Sequence, residues 1–477
     1  MKSVRKSLFF SFAENYSIIA VQFVSSLIVA RLLTPAEIGL FSVAVLLVGF
    51  AHILRDFGVG QYIIQESDLT DDRIRTAFGL TLILGWSMGG VLFLASSPVA
   101  AFYGSPGVKD VMMVLAGNFL LIPFGSVTMA YLRRELNFAP LYRIKTISTL
   151  IHASATVGLA YAGFSYMSMA WAAIIGTTSS ILLVNLYRPR HLPIWPSLKE
   201  ARRVFSFGSF ASGASVVGEI GKASPDLIIG KVLNMEAVGL FGRAMGLIEI
   251  FNRAVMQSVW TVALPFFSSR NRDGGNVRTG YLKSASYLTA IAWPFFAFLG
   301  LNAQPIVRLL YGPQWDASVP LVEILCLWGA LGAAFTLAGQ VLIAVGEVKR
   351  YFHLQLAAQA SKVVLILFAA PMGLTAICFS LVIASALNNL ITHRMLKGVV
   401  DIGLGEFIAS LFPSLGVTLF VAAPVAALPV LVGNNGWLPF VAQMVVATIA
   451  WLAGVFLLKH PLMHEISALL LKKSRAT

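Results

Sequence analysis

The chain has 477 residues, 57% of them hydrophobic and 12% charged, with a formal net charge of +14. A soluble chain carries roughly a quarter charged residues, so this one lacks the polar side chains needed to cover a water-facing surface. A basic excess suggests nucleic acid in a soluble protein, but here Lys and Arg fall in short loops between apolar stretches, where they set membrane topology.

The chain opens on Met1-Lys-Ser-Val-Arg-Lys-Ser, a charged head like that of a signal peptide. The apolar run behind it continues past Leu33 without a small-residue cleavage motif, so it reads as a retained first span. With about 20 apolar residues per crossing, the first six spans are predicted at about 12–33, 38–54, 77–97, 110–132, 146–163 and 166–187. On the same ruler six more fall at about 205–224, 238–260, 281–302, 318–345, 354–371 and 374–393. A last pair is expected at about 407–431 and 437–458, and Leu462–Leu471 with Lys472 and Lys473 reads as an amphipathic interfacial tail.

Most Lys and Arg gather on alternate loops, from Lys2, Arg5 and Lys6 through Arg133, Arg134, Arg143 and Lys145 to Lys472, Lys473 and Arg475. The intervening loops, such as Ala162–Ser165 and Gly433–Trp437, are short and nearly uncharged. This is a positive-inside pattern with both ends cytoplasmic and an even number of spans. Cys326 and Cys378, the only two cysteines, sit in apolar stretches and provide no disulfide framework or metal set.

The chain repeats itself. Ala30-Arg-Leu-Leu-Thr-Pro-Ala-Glu-Ile-Gly-Leu-Phe41 aligns without gaps on Gly230-Lys-Val-Leu-Asn-Met-Glu-Ala-Val-Gly-Leu-Phe241, at an offset of 200. Phe102-Tyr-Gly104 echoes Leu310-Tyr-Gly312, after the third and ninth spans. Two six-span halves of one topology follow, over 1–200 and 201–400, with an additional span pair and tail over 401–477. The fold class expected is an all-α polytopic membrane protein of about 14 transmembrane helices, built on a parallel repeat, an architecture that favours alternating access to a central site.

Charge inside hydrocarbon is costly, so charged residues within spans face cavities or each other. Span 7 carries Ser212, Ser215, Glu219, Lys222 and Asp226 on one helical face, with Lys222 and Asp226 spaced to pair. Span 8 has Glu249 and Arg253 four apart, with Arg243 near its outer end, and span 1 places Glu14, Gln22 and Ser25 on one face. Span 11 aligns Gln355, Gln359 and Lys362, the last close to mid-membrane. A stripe of this kind either lines an aqueous cavity or fixes helix packing through ion pairs. His152 in span 5 is read as a satisfied buried histidine rather than a proton relay.

The cations Lys222, Arg243, Arg253 and Lys362 suit an anionic substrate such as a pyrophosphate or an acidic sugar. Glu14, Glu219, Asp226 and Glu249 either bind a coupling proton or sodium ion or neutralise those bases. No Walker A motif or TVGYG-like filter occurs, which argues against ATP hydrolysis and a potassium-type channel. No long outward loop carries paired carboxylates, which argues against a membrane enzyme of polysaccharide assembly.

Arg31-Leu-Leu-Thr-Pro-Ala-Glu-Ile-Gly-Leu-Phe41, continuing to Asp56-Phe-Gly-Val-Gly60 and Ile63-Ile-Gln65, resembles the polysaccharide transport branch of the multidrug/oligosaccharidyl-lipid/polysaccharide (MOP) exporter superfamily. Leu310-Tyr-Gly-Pro-Gln-Trp315, with Ala317 soon after, is similar to the same family's second-half signature. The resemblance implies a non-enzymatic flippase that moves an undecaprenyl-pyrophosphate-linked oligosaccharide across the inner membrane, by rocking of two bundles and driven by an ion gradient. It implies a lipid-linked oligosaccharide and membrane lipids as partners, with a polysaccharide polymerase and chain-length regulator alongside, and no cofactor. The added C-terminal pair resembles the arrangement in lipid II flippases. A multidrug or metabolite antiporter of the same fold is the alternative, with a more apolar, aromatic site expected.

Overall fold

In lipid every backbone polar group must bond within its own segment, and α-helices meet that demand in a chain this apolar. The computed structural model describes residues 2–56, 59–190, 192–193, 195–201, 220–432, 437–465 and 467, and among these no strand occurs. They divide into two units, Met1–Gly239 and Leu240–Thr477.

The first unit contains α1 (Lys2–Leu32), α2 (Pro35–Asp56), α3 (Val59–Gln65), α4 (Asp71–Tyr103), α5 (Pro106–Leu121), α6 (Pro123–Arg134), α7 (Phe138–Tyr161) and α8 (Met167–Leu186), then a helix described over 220–232, α9. α10 (Met235–Phe251) carries the chain into the second unit.

The repeated motif encodes helix starts. Thr34 and Glu37 form a reciprocal capping box at α2: Thr34 N–H donates to Glu37 Oε2 at 2.7 Å and Glu37 N–H to Thr34 Oγ1 at 3.3 Å, with Pro35 at the first helical position. At the equivalent corner, Asn234 Oδ1 accepts from Ala237 N–H at 2.8 Å and caps α10. The Tyr-Gly echo encodes helix stops. Gly104 ends α4 at φ 63°, and Gly312 follows α13 (Ala303–Leu310) at φ 102°, backbone states that glycine adopts without a Cβ penalty.

A dry core forms where Val108, Met112, Leu115 and Phe119 of α5 meet Ala44 and Val48 of α2, Leu92 of α4 and Ala170 of α8. The fourth expected span is broken: α5 and α6 bend by 54° at Ile122–Pro123, because proline has no N–H to continue the ladder.

In the second unit α10 runs into a π-turn, Asn252–Met256, before α11 (Gln257–Arg272). Then come α12 (Val277–Leu301), α13, a 3-10 turn (Pro313–Ser318), α14 (Val319–Phe335), α15 (Ala338–Ala344), α16 (Val348–Ala369), α17 (Leu374–Val400), α18 (Leu404–Val432) and α19 (Trp437–Leu457). The last two helices are fastened to α12 by polar contacts. Thr289 Oγ1 donates to Ser414 Oγ at 3.0 Å, Ser414 Oγ to Ser286 O at 2.9 Å, and Trp451 Nε1 to Ala290 O at 2.8 Å. Buried His460 closes the network, with Nε2 3.2 Å from Ser286 Oγ and 3.1 Å from Ser414 Oγ. Its Nδ1 accepts the Leu462 N–H at 3.1 Å, so the neutral ring carries its proton on Nε2.

Among the described residues ten helical segments are long and apolar enough to cross a membrane, and the bent α5–α6 pair makes eleven. The remaining expected spans differ for visible reasons. α7 carries Arg143, Lys145 and His152, and the eighth is interrupted by the π-turn and carries Arg243, Glu249 and Arg253. Most of 205–224 lies outside the described residues, as does much of the expected tail beyond 465.

Candidate functional site

The middle turns of α16 and α17 carry side chains that hydrocarbon cannot solvate. On α16 Gln355, Gln359 and Lys362 recur at i, i+4 and i+7, and on α17 Ser385, Asn388, Asn389 and Thr392 recur at i, i+3, i+4 and i+7. Both series fall on one helical face. In the second unit they border a single cavity of about 610 Å³. The π-turn adds Asn252, the break between α14 and α15 adds Thr336, and the first turn of α15 adds Gln340. Trp260, Trp328 and Tyr351 supply aromatic surface. A π-turn inside an α-helix is rare and concentrates at functional sites.

The carboxamides differ in how far their bonding is met. Gln355 Nε2 donates to Tyr351 Oη at 2.9 Å, and Asn389 Nδ2 donates to Leu331 O at 2.8 Å, which fixes both side chains. Gln359 Oε1 and Asn388 Oδ1 are buried without a hydrogen-bond partner. Such a group costs about 1–3 kcal/mol when left unmet, and native structures keep few of them. Among the described residues lining the cavity, Lys362 is the one cation, and no carboxylate is present.

None of the other sequence-predicted residues that the structure describes belongs to the lining of this cavity. Glu14 on α1 pairs with Lys145 on α7, Oε1 to Nζ 2.7 Å, and Gln22 is exposed. On α9 Lys222 is exposed and Asp226 half-buried, and no ion pair joins them. Glu219 lies outside the described residues, as do Ser212 and Ser215. Glu249 is half-buried on α10 and Arg253 exposed in the π-turn, which breaks the four-residue register, and the two do not pair. Arg243 is met by aromatic faces: its Cζ stands 5.2 Å from the Tyr311 ring centroid and 5.4 Å from that of Trp315. It therefore holds the Leu310–Trp315 segment against α10.

Sequence reading found the α16 stripe because Lys362 drew attention to it. The α17 stripe has the same periodicity and was missed for want of a charge. Asn252, Thr336 and Gln340 depend on two helix breaks that leave no proline or glycine mark at the break itself. Among the described residues no group of three or more His, Cys, Asp or Glu is placed to hold a metal ion.

The profile of a family described as polysaccharide biosynthesis protein matches residues 28–320, more than half of the chain. The chain belongs to the polysaccharide biosynthesis protein family. Among relatives of this polysaccharide biosynthesis protein, the teichuronic acid biosynthesis protein TuaB of Bacillus subtilis is 25% identical over 379 residues, covering 77% of each chain. The lipopolysaccharide biosynthesis protein WzxC of Escherichia coli is 22% identical over 406 residues, covering 83% of this chain and 81% of that one. The solved structure of the lipid II flippase MurJ, in an inward closed conformation, matches with a TM-score of 0.75 at 13% identity, covering 96% of this chain and all of that one. The fold is an all-α, multi-pass membrane fold like that of this solved structure.

Proposed function

We propose that this protein flips an undecaprenyl-pyrophosphate-linked oligosaccharide repeat unit across the inner membrane, from the cytoplasmic to the periplasmic leaflet, for exopolysaccharide, capsule or O-antigen assembly. The observation that carries the reading is the polar cavity of the second unit, in a chain of the polysaccharide biosynthesis family. A wall of carboxamides that keeps two buried oxygens unmet has no use in a purely structural membrane bundle, where every unmet polar group is a cost. It has a use where a hydrophilic cargo must cross.

In this reading the protein is a transporter and catalyses no covalent step. Residues 1–200 and 201–400 act as two six-helix bundles that expose the cargo to alternate sides, and 401–477 is an appended pair with its tail. Both termini face the cytoplasm, in keeping with the distribution of Lys and Arg. A proton or sodium gradient drives the cycle, with Asp226 and Glu249 as the carboxylates available to couple it. A polymerase and a chain-length regulator take up the flipped unit.

The test is reconstitution into liposomes with a labelled lipid-linked oligosaccharide, scoring its appearance on the far leaflet. Acceleration over protein-free liposomes is expected, and equal rates with correctly folded protein overturn the proposal. Lys222→Ala and Lys362→Ala are expected to lower export in cells at unchanged membrane levels. Undiminished export in both variants removes the cations from the mechanism.

A further inference from the structure

We infer that the cavity of the second unit is a saccharide subsite, which takes uncharged hydroxyl- and acetamido-bearing sugar rings of the cargo and not its pyrophosphate. The inference rests on the flippase reading in one respect only, that the cargo is a glycan.

The chemistry of the wall separates the two ligand classes. A phosphate oxygen only accepts hydrogen bonds and is bound by clustered cations and N–H donors. A hydroxyl or acetamido group both donates and accepts, and a carboxamide does the same. Six carboxamides border the cavity, at Asn252, Gln340, Gln355, Gln359, Asn388 and Asn389. Two of them, Gln359 and Asn388, hold a carboxamide oxygen that no donor reaches. An anion has no proton to give these oxygens, whereas a sugar hydroxyl or an acetamido N–H has.

Shape and surroundings agree. A volume of about 610 Å³ lies in the range of pockets that enclose organic ligands and is far larger than a coupling ion needs. Trp260 and Trp328 offer flat apolar faces beside the amides, the combination suited to a ring with polar edges and apolar faces. Lys362 is the one cation among the described residues of this lining, while two arginines stand together elsewhere in the unit. Arg350, which also pairs with Glu347 at 3.2 Å, and Arg394 border a separate recess of about 580 Å³ toward one end of α16 and α17. From Arg350 to Gln359 the distance along α16 is about 13 Å. A phosphate held at the basic end leaves the sugars attached to it within reach of the carboxamide wall.

The test uses the full-length protein in cells that make the polysaccharide. A photo-crosslinking amino acid replaces Gln359 or Asn388, with Lys222 as a comparison position, and adducts are cleaved with mild acid to break the prenyl-pyrophosphate bond. The expected adduct at 359 and 388 keeps sugar mass after acid. An adduct that keeps only the polyprenyl chain, or glycan captured at 222 and at neither cavity position, overturns the inference. Gln359→Leu and Asn388→Leu serve if the crosslinking chains do not accumulate. Each is expected to cut export roughly tenfold at normal membrane levels, and wild-type export in both also overturns it. Deletion of the gene gives the separate control: if export survives deletion, the flippase reading fails, whatever the crosslinks show.

Discussion

Gly39 and Gly239 meet backbone to backbone at the starts of α2 and α10, both within the first unit. A Cβ built on Gly39 would stand 2.7 Å from Gly239 N and collide with the Met235 carbonyl, and one on Gly239 would strike the Pro35 carbonyl. The glycines of the repeated Gly-Leu-Phe motif are thus fixed by close approach. Gly39→Ala and Gly239→Ala are each expected to cost about 1–3 kcal/mol through overpacking, seen as a lower melting temperature of the purified protein. Gly49→Ala, where a Cβ meets nothing within 4 Å, should leave it unchanged or slightly higher.

The two cations Arg243 and Lys362 should separate in their effects. Arg243→Ala removes a guanidinium from two aromatic faces and is expected to cost about 1–2 kcal/mol of stability. Arg243→Lys should recover part of it, since an ammonium lacks the planar stacking surface. Export by Arg243→Ala should fall only as far as protein level falls. Lys362→Ala should lower export by more than its protein level falls.

The pair Glu14–Lys145 joins α1 to α7 with the carboxylate mostly shielded from solvent. Either single substitution, Glu14→Gln or Lys145→Gln, should destabilise by about 1 kcal/mol, at the upper end for a partly exposed pair. The double variant should lose less than the sum, and strict additivity in melting measurements would show that the pair contributes nothing.

His460 gives the docking of α18 and α19 a pH dependence. Burial holds its imidazole pKa below the ordinary value of 6.5. As pH falls below 6.5 the unfolded chain takes up a proton that the folded ring refuses. The stabilisation is therefore complete above about 6.5 and declines as pH falls toward the lower folded value. Wild type should melt lower at pH 5.5 than at 7.5, and His460→Gln should narrow that gap. An equal gap in both proteins would assign the effect to other groups.

Helix periodicity and basic-loop bias were enough to read a polytopic α-helical membrane protein, because hydrocarbon leaves the backbone few other options. The same rules could not find the breaks. Pro123 was visible inside the fourth span, yet whether a proline kinks a span or ends it depends on neighbours that re-satisfy the freed carbonyl. Pro98 and Pro294 stand inside unbroken helices. For the site, spacing along one helix was legible, as with Gln355, Gln359 and Lys362. Partners far apart in sequence were not: Glu14 meets Lys145, and Arg243 meets Tyr311 and Trp315. Each such meeting is made by tertiary packing, and the residues' types and intervals alone do not specify it.

The π-turn at Asn252–Met256 holds one residue more than an α-helical turn requires. Because the extra residue is taken up within the turn, loss of one residue there would return the helix to α geometry with α11 facing as before. Trp260 would keep its place while the side chains of the turn itself, Asn252 among them, were re-aimed. A single-codon deletion thus offers a way to edit the cavity rim at one point, and insertion as well as substitution becomes a route by which a cavity of this kind acquires a new polar contact.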